Sequence, residues 1–386
     1  MMQISPETQL FIREHSSDDV RVLALQAKKY PDIDMPTAIT QIAGRKVAAE
    51  KIPSWWEIEK IWYPKHLSLE QCSSEITARY KARLLQGDSL TDLTGGFGID
   101  CSFLATGFKS TTYVERQEEL CEIAAHNFPV LSLNHINIKN EDGVTYLQAM
   151  SPVDCLFLDP ARRNEHGGNV AELEELLLQK ANRVMIKLSP MLDLSLALKE
   201  LKQTQEVHIL SVNNECKELL ILLGQTSPAE ISIHCVNLFT KGTQKEQHFV
   251  FTREQEQCSE CTYTDSLETY LYEPNASLLK AGAFRSIAAA YPVRKLHPNS
   301  HLYTSDTFIE NFPGRIFRIV NQCSFNKKEV KENLADLKKA NVTVRNFPAT
   351  VAELRKRIHL AEGGDTYLFA STLNNGQKVL IRCEKV

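Results

Sequence analysis

Ser89-Leu90-Thr91-Asp92-Leu93-Thr94-Gly95-Gly96-Phe97-Gly98-Ile99-Asp100 is the stretch whose reading decides the fold of this chain. A short apolar run ends in a carboxylate, enters a glycine-rich turn and leaves it into a helical pattern. Glycines let a backbone approach a ligand closely, and a helix N-terminus offers free N–H groups. Dinucleotide-binding folds also begin with such a turn. Two details separate this one from them. Cys101 stands where G-x-G-x-x-G would place its third glycine, and Asp92 precedes the glycines, where a carboxylate suits a cationic ammonium better than a pyrophosphate. Asp92, Thr94, Gly95, Gly96 and Gly98 are therefore candidate cofactor contacts.

Outward from this turn, short apolar runs alternate with helical segments. The runs are Leu90–Leu93, Thr112–Glu115, Ile136–Ile138, Asp154–Leu158, Arg183–Leu188 and Val207–Val212. Such alternation predicts a parallel sheet covered by helices on both faces. Glu230–Phe239 and Gln247–Arg253 are strands with no room for a helix between them, so they pair antiparallel. Upstream, Glu7–His15, Asp18–Tyr30, Pro36–Glu50 and Leu69–Leu85 carry helical spacing. Trp55, Trp56 and Trp62 cluster beside this region, as packing between a helical cap and the next domain or, less commonly, as a base-stacking platform. After the polar linker Glu254–Asp265 comes a different module. Strand Ile316–Asn321, helix Lys327–Ala340, strand Val342–Phe347, helix Thr350–Ile358 and a hairpin of Thr366–Thr372 with Lys378–Cys383 over Asn374-Asn375-Gly376 give βαβαββ, a ferredoxin-like order.

Three further carboxylates end predicted strands. Glu115 follows the glycine turn by about 20 residues, where a nucleotide fold places its ribose-binding acid. Asp142, before Gly143, can accept from an adenine amino group or cap the helix that follows. Asp159-Pro160 closes an apolar strand at the carboxyl edge, where open α/β sheets bind ligands. There Asp159 can orient or deprotonate an acceptor amine, with Pro160 fixing its direction and Arg162 and Arg163 suited to a phosphate or carboxylate. Lys187-Leu188-Ser189-Pro190 ends the next strand at the same edge.

The ordered set Asp92-x-x-Gly95-Gly96-x-Gly98, Glu115, Asp142 and Asp159-Pro160, with an antiparallel final pair, resembles the class I S-adenosylmethionine-dependent methyltransferases. The resemblance implies a doubly wound seven-stranded sheet with the last strand reversed and S-adenosyl-L-methionine as cofactor. Its methionine moiety would lie against Asp92 and the turn, its ribose on Glu115, its adenine by Asp142 and Gly143, and the acceptor by Asp159. Glu70–Tyr80 looks like the cofactor-capping segment of such enzymes. Tyr272–Ala276, His301–Ser305, Leu354–Arg357 and Glu362–Phe369 look like a THUMP-like module, and the likeness runs from about Gln41 to the end. THUMP domains proper bind RNA. One departure stands out: amino-methylating nucleic-acid enzymes usually follow Asn/Asp-Pro with a second proline and an aromatic, whereas Ala161 and Arg162 follow here. No cysteine follows the motif to attack a pyrimidine ring, which disfavours covalent C5 methylation.

The bulk composition fits this reading. The chain has 386 residues, 43% hydrophobic and 24% charged, which predicts several ordinary globular domains. We expect a helical domain over 1–70, a methyltransferase domain over 71–255 and a basic ferredoxin-like domain over 266–386. Tyr270–Val386 carries 18 Lys and Arg against 10 Asp and Glu, whereas the whole chain is at −4. That basic third suits an anionic partner, RNA first. No apolar run approaches membrane-spanning length and no export signal opens the chain, so a cytoplasmic location is expected without membrane or obligatory protein partner. Ten scattered cysteines argue against a disulfide scaffold. Cys258 and Cys261 have metal-knuckle spacing but lack a second pair, so no metal is assigned. The expected activity is methyl transfer to a base nitrogen of structured RNA. The alternatives are a small-molecule or protein acceptor, and a non-catalytic protein that binds cofactor or RNA on the same fold.

Overall fold

A computed structural model describes residues 4–160, 170–226 and 228–386. The chain divides into two compact units, Met1–Gln205 with Leu219–Pro228, and Glu206–Glu218 with Ala229–Val386.

The first unit opens with helices α1 (Pro6–Glu14), α2 (Val20–Leu25), α3 (Met35–Lys51), α4 (Pro53–Trp56), α5 (His66–Gln71) and α6 (Glu75–Ala82). Ser5, Asp19 and Asp34 cap the first three through side-chain oxygens that accept from free N–H groups of the first turn. Two expected helices are shorter than their periodicity implied. Asp18–Tyr30 is α2 followed by a 3-10 turn at Ala27–Lys29, and Leu69–Leu85 breaks at Cys72–Ser74 between α5 and α6. Serines readily exchange helical bonds for side-chain ones, and Ser73 here donates to Asp100 instead.

The α/β part follows as β1 (Ser89–Asp92), α7 (Ile99–Ala105), β2 (Ser110–Glu115), α8 (Glu118–Val130), β3 (Ile136–Asn140), α9 (Gly143–Ala149), β4 (Val153–Leu158), α10 (Val170–Lys180), β5 (Ala181–Leu188) and α11 (Leu194–Glu200). Strands β6 (Thr204–Val212), β7 (Glu215–Gly224), β8 (Ser232–Leu238) and β9 (Glu246–Thr252) complete the series. In the first unit the order is β3-β2-β1-β4-β5-β7. Its first five strands are parallel, and β7 runs antiparallel to β5 from Leu188↔Leu219 to Arg183↔Gly224. The strand reversed against β5 is thus β7, which the sequence reading did not separate, because Asn213-Asn214 turns the chain without glycine or proline. Both asparagines adopt positive φ, which this residue type tolerates. The two late strands β8 and β9 pair antiparallel as expected. Leu156, Leu158, Val184, Ile186, Ile221 and Leu223 form one buried core with α9 and α10.

All three tryptophans belong to this unit. Trp55 is buried edge-on against Phe97 of the glycine turn, and Trp62 stacks on His126 of α8. Trp56 is exposed, with Arg45 over its ring. Ala48, Ile52, Trp55 and Leu69 join Ile99, Leu120 and Ile123 in one cluster, so the helical segment packs onto the turn and its two following helices.

In the second unit β6 pairs parallel with β8, and β8 antiparallel with β9. The chain continues through α12 (Arg253–Cys258), β10 (Tyr270–Pro274), α13 (Ala276–Ala281), α14 (Ser286–Ala290), β11 (Arg294–Lys295) and β12 (Tyr303–Ser305). Then come β13 (Gly314–Ser324), α15 (Lys327–Leu334), β14 (Lys339–Val344), α16 (Val351–Ile358), β15 (Ala361–Thr372) and β16 (Lys378–Lys385). These strands form a seven-stranded sheet, β11-β12-β10-β13-β16-β15-β14. The expected βαβαββ order from Ile316 onward is present as β13-α15-β14-α16-β15-β16. Helix Lys327–Ala340 proves shorter, since Lys339 and Ala340 already pair with Ala361 and Glu362 of β15. No helix among the described residues is long and apolar enough to cross a membrane.

Candidate active site

Because β1, β2, β4 and β5 run parallel, their last residues emerge at one edge of the first unit's sheet. Asp92 ends β1, Glu115 ends β2, Asp159 follows β4, and Lys187 lies near the end of β5. The glycine turn is anchored on the neighbouring strands: Leu93 N–H donates to the Phe157 carbonyl at 2.9 Å and Gly95 N–H to that of Val114 at 2.8 Å. Gly96 and Gly98 take φ of +54° and +86°, which L side chains rarely adopt. The Thr94 hydroxyl accepts from the Asp159 backbone N–H at 2.6 Å, joining the turn directly to the Asp-Pro segment.

Asp92 is 1% exposed. Its Oδ1 accepts from the Thr94 N–H at 2.9 Å, while no donor among the described residues reaches Oδ2. Burial pushes its carboxyl up to about 8, reinforced by Asp100 and Asp159 and opposed by the Thr94 N–H and Lys187. The neighbouring Asp100 behaves oppositely. Burial alone would raise it, but Lys81, Lys187 and the Ser73 hydroxyl outweigh burial and hold it below the ordinary carboxylate range.

These groups form one buried polar network. Lys81, fully buried, lies 3.0 Å from Asp100 Oδ1 and donates to Ser73 Oγ at 2.9 Å. Lys187 donates to the same hydroxyl at 3.0 Å, and Ser73 donates to Asp100 Oδ2 at 2.7 Å. The Lys187 ammonium also reaches Asp159 Oδ2 at 2.6 Å and Asp100 Oδ2 at 3.4 Å. An interior charge persists only when paired and hydrogen-bonded, and this network meets that condition for both lysines.

The nucleotide-side candidates lie along β2 and β3. Glu115 Oε2 accepts from the Gly96 N–H at 2.9 Å and Oε1 from the Gln117 N–H at 2.8 Å, so the carboxylate spans the turn and the start of α8. Asn140 Nδ2 donates to the Glu115 carbonyl at 2.9 Å. Asp142 caps α9, its Oδ1 accepting from the Val144 and Thr145 N–H groups at 3.0 Å. A Cβ on Gly143 would stand 2.3 Å from the Leu93 carbonyl oxygen, so packing beneath the glycine turn itself demands glycine there.

The structure thus places Asp92, Thr94, Gly95, Gly96, Gly98, Glu115, Asp142, Gly143, Asp159 and Pro160 on consecutive turns at one sheet edge. Arg162 and Arg163 lie outside the described residues. Sequence reasoning missed Lys81, and it gave no role of their own to Ser73, inside the expected capping segment Glu70–Tyr80, or to Asp100, at the end of the glycine-turn stretch. A signal for Lys81 was present, because it shares a helix face with Thr77, Ala78 and Tyr80, which are all buried. An amphipathic segment seldom turns a lysine inward without an acid to meet it.

The residues present fit S-adenosylmethionine. Asp92 leaves a buried oxygen unmatched, Glu115 offers a carboxylate at the second strand end, and an added Cβ on Gly96 would meet only the Thr94 carbonyl oxygen, at 3.8 Å.

Two family models match the chain, a ferredoxin-like domain over 270–313 and a THUMP domain-like model over 314–385. Among curated proteins, none matches the chain in sequence. The chain is 33% identical to a Porphyromonas gingivalis W83 protein of known crystal structure, provisionally named a methyltransferase. That match covers 100% of both chains at a TM-score of 0.87. An rRNA methylase from Streptococcus thermophilus matches 39% of this chain and 93% of its own, at 15% identity and a TM-score of 0.31. A provisionally named methyltransferase from Streptococcus mutans, solved with SAH, matches 39% and 96% at 16% and 0.31. At those scores the likeness bears on neither activity nor substrate. The full-length match and the two domain models agree, and the chain belongs to the same family as the Porphyromonas protein, a methyltransferase fold with a C-terminal THUMP-like domain.

Proposed function

We propose that this protein is an S-adenosylmethionine-dependent methyltransferase acting on a base nitrogen of structured RNA in the cytoplasm. The observation that carries the reading is Asp159, held at the sheet edge by Lys187 at 2.6 Å and tied through its N–H to Thr94 of the glycine turn. An acceptor amine hydrogen-bonded to that carboxylate would lie beside the residues that suit the cofactor. When bound, S-adenosylmethionine supplies an electrophilic methyl group on a sulfonium. The protein's part is then mostly to align acceptor and donor, because proximity and orientation account for much of such a barrier. Asp92 and the turn Thr94–Gly98 hold the amino-acid end, Glu115 the ribose, and Asp142 with Gly143 the adenine. Asp159 orients the amine and accepts its proton, and Lys187 fixes the carboxylate's direction.

In this reading helices over 1–70 close on a transfer domain of 71–255, and the basic domain of 266–386 grips RNA through phosphates. The excess of 18 basic over 10 acidic residues from Tyr270 onward supports that last step, as does the THUMP-like match. The test is transfer of labelled methyl from S-adenosylmethionine in extract of a deletion strain, with added protein, followed by fractionation. Label in RNA supports the proposal, and nucleoside mass spectrometry then names the base. Label in protein or small molecules keeps the transferase and rejects RNA. Cofactor binding without label in any fraction rejects catalysis.

A further inference from the structure

The second unit carries a histidine ladder that the methyl-transfer site does not use. His208 on β6 and His234 on β8 are direct partners in the parallel register, and their rings stack with centroids 4.3 Å apart at 18°. On β9, His248 pairs opposite Val236, two residues from His234. Alternation along strands puts His208, His234 and His248 on one face. The second ring pair is 5.3 Å apart at 30°, with His234 Nδ1 3.1 Å from His248 Nε2. Glu206, two residues before His208 on the same face, brings its Oε2 to 3.2 Å from His208 Nε2. The ligand atoms of Glu206, His208 and His234 lie within 4.8 Å of one another.

We propose that Glu206, His208, His234 and His248 bind a divalent ion of the zinc class through three imidazole nitrogens and one carboxylate. Tetrahedral zinc with ligands at ~2.0–2.1 Å separates neighbouring donor atoms by about 3.4 Å. The two closest pairs already sit at 3.1 and 3.2 Å, near that spacing. His248 stands outside that compact trio, so the span closes through side-chain torsions of the exposed His248 and of Glu206, one-third exposed, which also turn the stacked rings so that their nitrogen lone pairs converge. Imidazole and carboxylate donors select borderline ions over calcium or magnesium. The ion would clip β6, β8 and β9 together, a structural role separate from methyl transfer.

The full-length protein, stripped with chelator, is titrated with zinc against a chromophoric competitor and, separately, with cobalt(II). The expected result is one ion per chain and a rise in Tm on adding zinc. Cobalt should give visible d–d bands without the near-ultraviolet charge transfer of a thiolate site. His234→Ala and His248→Ala, chosen because neither side chain is fully buried, should each weaken zinc binding by at least ~10-fold and abolish the Tm rise. Three outcomes overturn the site: no ion bound, binding unchanged in both variants, or a thiolate signature removed by Cys258→Ser.

Discussion

At the residue scale the two aspartates of the glycine turn show how surroundings, not identity, decide a carboxyl's state. Asp92 is buried with one oxygen unmatched and retains its proton up to about pH 8; Asp100, eight residues on, is ionised by two lysines and a serine. The sign of the stability effect follows. Asp92 has a folded value raised above its ordinary 3.8, so its contribution is fully present below that and is lost as pH rises through about 8. Asp92→Asn should therefore match the wild type in unfolding free energy near pH 4 and exceed it at pH 9, by on the order of 2 kcal/mol, with Tm following the same trend. If Oδ2 receives the cofactor's ammonium, that charge draws the proton off Asp92, and the same variant should then bind S-adenosylmethionine about 10-fold more weakly at neutral pH. Parallel Tm profiles of variant and wild type would dismiss the buried protonated carboxyl. Asp159 is tested more simply. Asp159→Ala should cut methyl transfer by ~10²–10⁴-fold while cofactor and RNA affinities stay within about threefold. Transfer at the wild-type rate would remove Asp159 from the chemistry.

At the scale of elements, the break between α5 and α6 matters most. Periodicity alone reads Leu69–Leu85 as one helix, and it contains no glycine or proline to say otherwise. The interruption at Cys72–Ser74 lets Ser73 accept from two lysines and donate to Asp100. Helix α6 then carries Lys81 inward beneath the turn. Removing that cation while keeping the side-chain volume would leave Asp100 buried with one ammonium fewer. Lys81→Met should destabilise the fold by about 3–5 kcal/mol, and Asp100→Asn in the same chain should recover part of it. Denaturant melts of the four proteins measure the coupling, and strictly additive losses would show that no ion pair is at stake. The tryptophan cluster resolves in the same way. Trp55 and Trp62 are held by Phe97 and His126, which supports packing over base stacking.

For the molecule as a whole, the RNA reading makes an electrostatic forecast. A domain that grips several phosphates releases counterions, so affinity for structured RNA should fall by ~100-fold or more between 50 and 200 mM salt. Affinity for S-adenosylmethionine should change by less than about twofold over that range. A flat salt response in a filter-binding or anisotropy assay would point to a small-molecule acceptor. The charge asymmetry behind this forecast belongs to composition, and no coordinate is needed to see it.

The alternation of apolar runs and helices, the acid-then-glycine turn, the carboxylates at strand ends and the βαβαββ order are all local patterns. Backbone sterics and burial write them into neighbouring residues, which is why they were legible in the sequence. Strand β7 escaped because two asparagines made a turn that usually advertises itself with glycine. Lys81 escaped, and Ser73 was read only as part of a capping segment, because their meaning depends on Asp100 and Lys187, which are distant in the chain. The histidine ladder is the clearest case: His208, His234 and His248 stand far apart in sequence and look like three unrelated residues. Strand register alone brings them onto one face, since a sheet pairs residues by hydrogen bonding and not by proximity along the chain. The fold's class was set locally, whereas the partners of its buried charges and imidazoles were decided only by tertiary structure.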